Sequence, residues 1–273
     1  VYTFFASEHA VVAAVFARVR GRRFVVSVGG YDVANVPEHG YGLPTRFPHR
    51  LVPRVVVALS HRVVAFSRSA RDEAVAAGAD PERTTVSSIG LEPRFVDQPA
   101  GVSRDPDTVI TVAYVDEVSW SRKGIDRFVA AARQDPERRY VLVGRVADPV
   151  LAGGLADPPP NLILAGFVSD DELRDLLWSS GVYAQLSWHE GFGVSMVEAM
   201  QAGCQPVVTD VPALTEIAGP DAVQTRDPDD DLGAIAQAAA SPADRAELAQ
   251  WATTVASMDD RAAGLESALF AAT

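Results

Sequence analysis

Six short apolar segments, separated by stretches with helical periodicity, follow residue 105. Apolar runs of this length predict buried parallel strands, and the intervening periodicity of about 3.6 residues predicts helices. The predicted strands are 109–114, 140–143, 162–165, 182–186, 205–209 and 222–224, and the predicted helices are 125–133, 170–180, 194–202 and 214–218. This alternation predicts a doubly wound α/β sheet, which binds its ligands at the carboxyl ends of the strands.

A glycine turn follows the fourth of these strands, in the segment HEGFGVSMVEAMQAGCQPVVTD (189–210). Gly191 and Gly193 can take backbone angles that are closed to other residues, and they let a ligand approach the main chain. The helix predicted from Val194 has first N–H groups without intrahelical partners, and these groups carry partial positive charge. The turn therefore predicts an anion-binding site, such as one for a phosphorylated sugar donor.

Two glutamates flank this turn. Glu190 precedes the helix and lies beside the expected anion, whereas Glu198 lies about one turn inside it, among apolar residues. A carboxylate in such surroundings needs hydrogen-bond donors. For an isolated pair, the simpler interpretation is a solvated loop residue and a surface helix position. The surrounding strand, glycine turn, helix and strand favour a site instead.

The basic residues are almost all arginine. Only one of the 24 is a lysine, Lys123, in the string SRKG. A coding bias that favours arginine can leave one lysine by chance. Alternatively, a compact ammonium group can approach a diphosphate end-on, where the planar guanidinium of arginine does not fit.

The block from Glu190 to Glu198 resembles the E-x7-E motif of glycosyltransferase family 4, retaining enzymes of the GT-B type with two Rossmann-like domains. The resemblance implies that Glu190 contacts the transferred sugar and that Glu198 contacts the ribose of a nucleotide donor. It places Gly191, Phe192, Gly193 and the helix start at Val194 at the donor. A lysine-glycine pair after the first strand of the family's donor domain binds the diphosphate, and Lys123-Gly124 matches it.

Other donor-side positions follow from the same resemblance. Family members have an arginine on the strand end before the lysine, where this chain has Ala113 and Tyr114, so Arg122 is the candidate to supply that charge from the loop. Gly144, after the second strand, is expected near the nucleotide. The turn Gly166-Phe167-Val168, after the third strand, is expected near the base. Each of these turns could equally be an ordinary connection.

The first 104 residues are expected to form a partial acceptor-side domain with a linker, and residues 105–273 the donor-binding domain with carboxy-terminal helices. The predicted amino-terminal strands are 24–28, 63–66 and 85–89, and the predicted helices are 9–18, 51–59 and 70–77. A family acceptor domain has more strand-helix units, and the chain begins at Val1, so this domain is expected to be incomplete. The histidine that relatives carry after the strand ending at Val28 is replaced by Gly29-Gly30. Asp32 and His39 are candidate substitutes.

An aspartate cluster raises the alternative of a metal site. Manganese binds D-x-D sequences in the other large glycosyltransferase fold, and Asp227, Asp229, Asp230 and Asp231 offer such a pattern. The acidic residues also suit the start of the alanine-rich helix that follows. Because a GT-B site stabilises the diphosphate with cations and a helix end, no metal or other cofactor is expected. The five histidines have no zinc-ligand spacing.

Charge is divided unevenly along the chain. Residues 1–104 have 13 basic and 9 acidic side chains (net +4), and residues 105–273 have 11 and 27 (net −16), together −12. The acidic half argues against nucleic acid as a partner. The basic half could lie on anionic membrane through Arg46, His49, Arg50 and Arg54, or simply be solvated. The single cysteine, Cys204, is expected in the core, and the protein in the cytoplasm.

The sequence thus predicts a retaining hexosyltransferase that uses a nucleotide-diphosphate sugar and an acceptor of unknown kind: a glycan, a lipid-linked sugar or a small molecule. One alternative is a non-catalytic nucleotide-sugar-binding remnant or partner subunit, since the first domain is short. A weaker alternative is a nucleotide-sugar epimerase of the same architecture.

Overall fold

The computed structural model describes residues 1–270. Within them, the chain forms two parallel sheets, one of four strands and one of six. The strands of the first sheet are β1 (Tyr2–Phe4), β2 (Val25–Val28), β3 (Arg62–Ala65) and β4 (Thr84–Val86). Those of the second are β5 (Asp105–Val112), β6 (Arg139–Val143), β7 (Leu162–Gly166), β8 (Ser180–Gln185), β9 (Gln205–Thr209) and β10 (Val223–Thr225).

Helices connect the strands and follow the last of them. They are α1 (Glu8–Val19), α2 (Leu51–Leu59), α3 (Arg68–Ala76), α4 (Glu117–Arg122), α5 (Ile125–Gln134), α6 (Asp148–Ala152), α7 (Asp170–Ser179), α8 (Val194–Gln201), α9 (Pro212–Ala218), α10 (Asp231–Ala240), α11 (Arg245–Val255) and α12 (Met258–Phe270). No helix in residues 1–270 is both long and apolar enough to cross a membrane.

The chain divides into two compact units. Of the described residues, unit 1 contains 1–92, 190–192 and 256–270, and unit 2 contains 93–189 and 193–255. The expected division at residue 104/105, with all carboxy-terminal helices in the second domain, differs from this arrangement in two ways. The linker from Pro93 onward packs in unit 2, and α12 packs against β3 of unit 1.

Unit 1 is a sheet in the order β1-β2-β3-β4 with helices on both faces. The valine and alanine side chains of β2 and β3 alternate between the faces, as the two-residue period of a strand requires. Val26 and Val28 face a core shared with α1, α2 and α3, whereas Val25 and Val64 face Ala268 of α12. Strand β1 was not predicted, because it is only three residues long and half exposed.

Unit 2 has the strand order β10-β9-β8-β5-β6-β7. The chain runs from β5 outward through β6 and β7, and then returns to the other side of β5 to form β8. The strand order therefore reverses between β5 and β8, and open α/β sheets bind ligands in the crevice outside the carboxyl ends of the strands at such a point. All six predicted strands of this sheet are confirmed. Ser169 caps α7 and forms a capping box with Glu172. Helices α4 and α6 were not predicted.

Candidate functional site

Two chain segments meet where the strand order of unit 2 reverses. The N–H of Trp188, just after β8, donates to the carbonyl oxygen of Arg122 at 2.8 Å, and the Arg122 guanidinium donates to the carbonyl oxygen of His189 at 3.1 Å. Gly124 lies so close that a Cβ there would overlap the carbonyl group of Leu186. The lysine-bearing segment and the segment that leads into the glycine turn are thus fixed to each other.

Lys123 directly follows α4, and Gly124 separates it from α5. Helix α4 begins with a capping box, in which the Asp116 carboxylate accepts from the N–H of Ser119 and the Ser119 hydroxyl accepts from the N–H of Asp116, both at 2.7 Å. The N–H of Lys123 donates to the Ser119 carbonyl at 2.8 Å, and Gly124 then takes a left-handed φ of 64°. Two caps and a glycine therefore fix the backbone of the single lysine at the reversal point.

The expectation that Arg122 lies in a loop is wrong. Arg122 is the last residue of α4, and it is 6% exposed. The connection between β5 and Lys123 contains this short helix. The Arg122 charge is still beside the reversal point, but it is buried and oriented by the His189 carbonyl.

The glycine turn opens α8 as predicted. Gly193 has a φ of 91° and precedes the helix, and the N–H groups of Met196 and Val197 both donate to its carbonyl oxygen. The N–H groups of Val194 and Ser195 belong to the first turn of α8, where N–H groups have no hydrogen-bond partner within the helix. Gly203 ends the helix with a φ of 77°. A glycine with a positive φ therefore lies at each end of α8.

Residues 190–192 pack with unit 1. The Ser67 hydroxyl donates to the Gly191 carbonyl at 2.8 Å, and a Cβ on Gly191 would overlap the carbonyl oxygen of Gly29. Only glycine therefore fits at position 191. Glu190 is partly exposed, whereas Phe192 is 3% exposed, so Phe192 can offer a ligand its backbone but not its ring.

Glu198 is half-way along α8, with a side chain that is 17% exposed. Burial raises the pKa of its carboxyl, the guanidinium of Arg94 acts in the opposite direction, and Asp170 raises the pKa further. The nearest Arg94 nitrogen lies 3.6 Å from Oε1 of Glu198. The charge that opposes this carboxylate is thus that of Arg94, a linker residue that the sequence patterns did not single out.

The turns after β6 and β7 are adjacent, as their strand pairing predicts. Gly144 has a φ of 122°, and its N–H donates to the carbonyl oxygen of Gly166 at 2.8 Å. A Cβ on Gly144 would overlap the carbonyl oxygen of Ala113 at the end of β5. Phe167 is 90% exposed and Val168 partly exposed, so this turn presents an aromatic face to solvent.

A buried ion pair supports the reversal point from the next helix. Arg127 of α5 makes two bonds to Asp231 of α10, at 2.9 and 2.6 Å, and both side chains are under 5% exposed. The same guanidinium donates to the Leu186 carbonyl and lies 4.6 Å from the ring centroid of Trp188. It therefore helps to hold the strand end that leads into the glycine turn.

The aspartate cluster has structural contacts in this fold. Asp231 pairs with Arg127, and the Asp227 carboxylate accepts from the N–H of Asp229 at the start of a short 3-10 helix. Across residues 1–270, no group of three or more His, Cys, Asp and Glu side chains is arranged to hold a metal ion.

The two acceptor-side candidates lie in unit 1. Asp32 is 2% exposed, and its carboxylate accepts from the N–H groups of Ala6, Gly29 and Gly30. Burial raises the pKa of Asp32, and these backbone donors oppose that shift. Asp32 thus connects the loop that follows β1 to the loop that follows β2. His39 ends a short 3-10 helix, Pro37–His39.

Cys204 is confirmed as a core residue. It is fully buried, its thiol donates to the Leu177 carbonyl at 3.0 Å, and burial raises its pKa to about 11. A thiol in this state is not a nucleophile at neutral pH.

Two parallel sheets, with helices between their strands and a reversal of strand order in unit 2, define an α/β protein. The sequence model of the family described as glycosyl transferases group 1 matches residues 100–254, more than half of the chain. The chain belongs to this family.

Similar sequences carry glycosyltransferase names. A GDP-mannose:cellobiosyl-diphosphopolyprenol alpha-mannosyltransferase of Xanthomonas oryzae pv. oryzae (strain PXO99A) is 34% identical over 97 residues, which are 33% of this chain and 25% of that protein. The phosphatidylinositol N-acetylglucosaminyltransferase gpi3 subunit of Schizosaccharomyces pombe is 25% identical over 166 residues, which are 58% of this chain and 36% of that protein. The matched stretches thus span about a quarter to a third of these relatives.

A solved structure shows the fold along almost the whole chain. Anabaena Alr3699/HepE, crystallised in complex with UDP, matches with a TM-score of 0.73 and 19% identity, over 94% of this chain and 75% of that chain. The expected GT-B-like fold with two Rossmann-like domains is confirmed.

Proposed function

We propose that this protein is a retaining glycosyltransferase of family 4 that takes its sugar from a nucleotide-diphosphate sugar. The observation that carries the proposal is the fixed junction at the strand reversal of unit 2. There the single lysine and a buried arginine lie against the segment that leads into the glycine turn. A leaving diphosphate needs positive charge at this place, because charge develops on it as the glycosidic bond breaks.

Each donor-side residue has a role in this mechanism. The Lys123 ammonium and the first N–H groups of α8 bind the diphosphate, and the Arg122 charge adds to the local positive potential. Glu190 holds the transferred sugar and stabilises an oxocarbenium-like centre. Glu198 accepts hydrogen bonds from the ribose hydroxyls. No metal or other cofactor enters the mechanism, because the cations and the helix end already oppose the developing charge.

The turns on the far side of β5 complete the donor site. Gly144 lets the nucleotide approach the backbone, and the exposed ring of Phe167 offers a surface for the base. The complex of the Anabaena protein with UDP favours uridine, and the name of the Xanthomonas relative favours guanosine. The proposal therefore covers both nucleotides.

The proposed acceptor is lipid-linked, as the names of the relatives say of their own acceptors. His49 is paired with Glu8 at 2.8 Å, so Arg46, Arg50 and Arg54 carry the charge of the basic patch. Phe47 beside them is 77% exposed. We expect this patch to touch anionic membrane at the cytoplasmic face. Equal cosedimentation with anionic and neutral vesicles would contradict this part of the proposal.

Calorimetric titration with UDP, GDP and ADP sugars tests the donor assignment. We expect one of the three to bind, and Lys123→Ala to weaken its binding by about 10- to 100-fold, the size of a charge-assisted hydrogen bond. Arg226→Ala is the control, since that exposed cation pairs with Asp210 at the end of another strand. The proposal fails if none of the sugars binds, or if Lys123→Ala and Arg226→Ala bind equally well. Conversion of the donor sugar without an acceptor would indicate an epimerase.

A further inference from the structure

Arg94 lies in the linker that opens unit 2, and neighbouring contacts fix its position. Phe95, the next residue, is 2% exposed, and the indole N–H of Trp178 donates to the Phe95 carbonyl at 2.8 Å. The Arg94 guanidinium lies 5.6 Å from the centroid of the Phe95 ring. The backbone that carries Arg94 is therefore anchored to α7, although the arginine itself is half exposed.

The guanidinium bridges two carboxylates from different elements. One terminal nitrogen lies 2.8 Å from Oδ2 of Asp170, the first residue of α7, and the other lies 3.6 Å from Oε1 of Glu198 in α8. Asp170 is 78% exposed in its side chain and Glu198 only 17%. An exposed pair such as Arg94 and Asp170 contributes little to stability, because water screens both charges. The contact with the half-buried Glu198 matters more, since that carboxylate has few other sources of compensation.

We propose that Arg94 is a positioning residue for the nucleotide, which holds the Glu198 carboxylate in place to accept the ribose hydroxyls. This inference rests on the proposed function, in which Glu198 binds the ribose. An ionised carboxylate has two oxygens and about four acceptor sites, and the pair with Arg94 engages only Oε1. Oε2 and the remaining sites stay available to two vicinal hydroxyls.

Asp170 orients the Arg94 guanidinium. It holds the second arm of the guanidinium and so limits the rotation of Arg94 about its long side chain. Asp170 also begins the helix that follows the turn Gly166-Phe167-Val168. Arg94 thus links the Glu198 carboxylate, which is proposed to bind the ribose, to the segment expected near the base. Burial raises the pKa of Glu198 and Arg94 opposes this shift, which agrees with a role in keeping the carboxylate charged.

The test compares nucleotides with and without ribose hydroxyls. The dissociation constants of the preferred nucleoside diphosphate and its 2′,3′-dideoxy analogue are measured by calorimetry for the wild type, Arg94→Ala and Arg94→Lys. We expect Arg94→Ala to weaken the ribonucleotide about 10-fold and the dideoxy analogue less than about 2-fold. Arg94→Lys should retain part of the discrimination, because it keeps the charge but loses the two-armed geometry.

Two further variants separate positioning from a general effect. Arg174→Ala removes an exposed ion pair with Asp171, 2.7 Å long, on helix α7, which also carries Asp170. This variant should leave the affinities for the ribonucleotide and for the dideoxy analogue unchanged. In a Glu198→Gln background, adding Arg94→Ala should have no further effect on the ribonucleotide, because the arginine acts through the carboxylate.

The outcomes are distinct. Equal loss of affinity for both nucleotides in Arg94→Ala would overturn the inference, as would full additivity with Glu198→Gln. A wild type that binds both nucleotides equally well would show that Glu198 does not bind ribose hydroxyls, and it would overturn the inference while leaving diphosphate binding intact. A wild type that binds neither nucleotide would overturn the proposed function itself.

Discussion

The buried pair between Arg127 and Asp231 predicts a large and specific loss of stability. Asp231→Ala leaves the Arg127 guanidinium charged and only 4% exposed. Removing one partner of a buried pair costs about 3–5 kcal/mol, because an uncompensated charge remains in the interior. For a unit of this size, about 2–4 °C of Tm accompanies each kcal/mol, so the expected decrease is roughly 6–20 °C.

Tryptophan fluorescence in urea measures the change in the free energy of unfolding of unit 2. All four tryptophans of the chain (Trp120, Trp178, Trp188 and Trp251) lie in unit 2. Their unfolding transition therefore reports on the unit that contains the pair. Arg226→Ala is the control, since its pair with Asp210 is 81% and 37% exposed and should contribute less than about 1 kcal/mol.

The double variant Arg127→Met/Asp231→Leu separates the buried charge from the loss of packing. Apolar residues of similar size leave no uncompensated charge, so this variant should recover most of the stability lost in Asp231→Ala. The Thr225 hydroxyl, which also donates to Asp231, keeps a second acceptor in the carbonyl of Asp227 at 3.1 Å. The reasoning is refuted if Asp231→Ala is as mild as Arg226→Ala, or if the double variant is as unstable as the single one.

Two further predictions concern the donor site. Because the folded pKa of Glu198 is raised, its carboxyl protonates at a higher pH than that of an exposed glutamate. Nucleotide binding should therefore weaken as the pH falls through that pKa. In Arg94→Ala, burial and Asp170 raise the pKa without opposition from Arg94, so the decline in binding should begin at a higher pH. Nucleotide affinity measured against pH for the wild type and for Arg94→Ala checks which of the two loses binding first. Coincident profiles would contradict the prediction. Gly124→Ala should unfold earlier and bind nucleotide more weakly than Gly40→Ala: both glycines have a φ near 60°, but only a Cβ at 124 meets other atoms. Equal behaviour of these two variants in binding and in thermal melts would argue against a fixed junction at Gly124.

The second sheet was predictable because its strands are buried on both faces and so appear as continuous apolar runs. Helix α4 was missed because six residues are too few for a periodic pattern. Its capping residues Asp116 and Ser119, three apart, were the available signal. Strand β1 gave no comparable signal, since its three residues do not form a buried run.

The glycine turn and its glutamates could be located from the sequence because they are local features. Arg94 could not, because it is 76 residues from Asp170 and further still from Glu198, and only the packing of the linker brings them together. The burial of Arg122 likewise depends on the end of β8, a distant part of the chain. Long-range pairing of charges was therefore the part of the site that sequence patterns could not supply.

The junction between α4 and α5 makes the protein easy to observe at one defined point. Lys123 carries the only lysine amine of the chain, on a backbone fixed by two helices. Reductive methylation with labelled formaldehyde therefore introduces a single lysine methyl resonance, which has to be distinguished only from that of the α-amine. Its chemical shift reports on the electric potential near the carboxyl end of β8, and titrations with phosphate-bearing molecules can be followed there without mutating the protein.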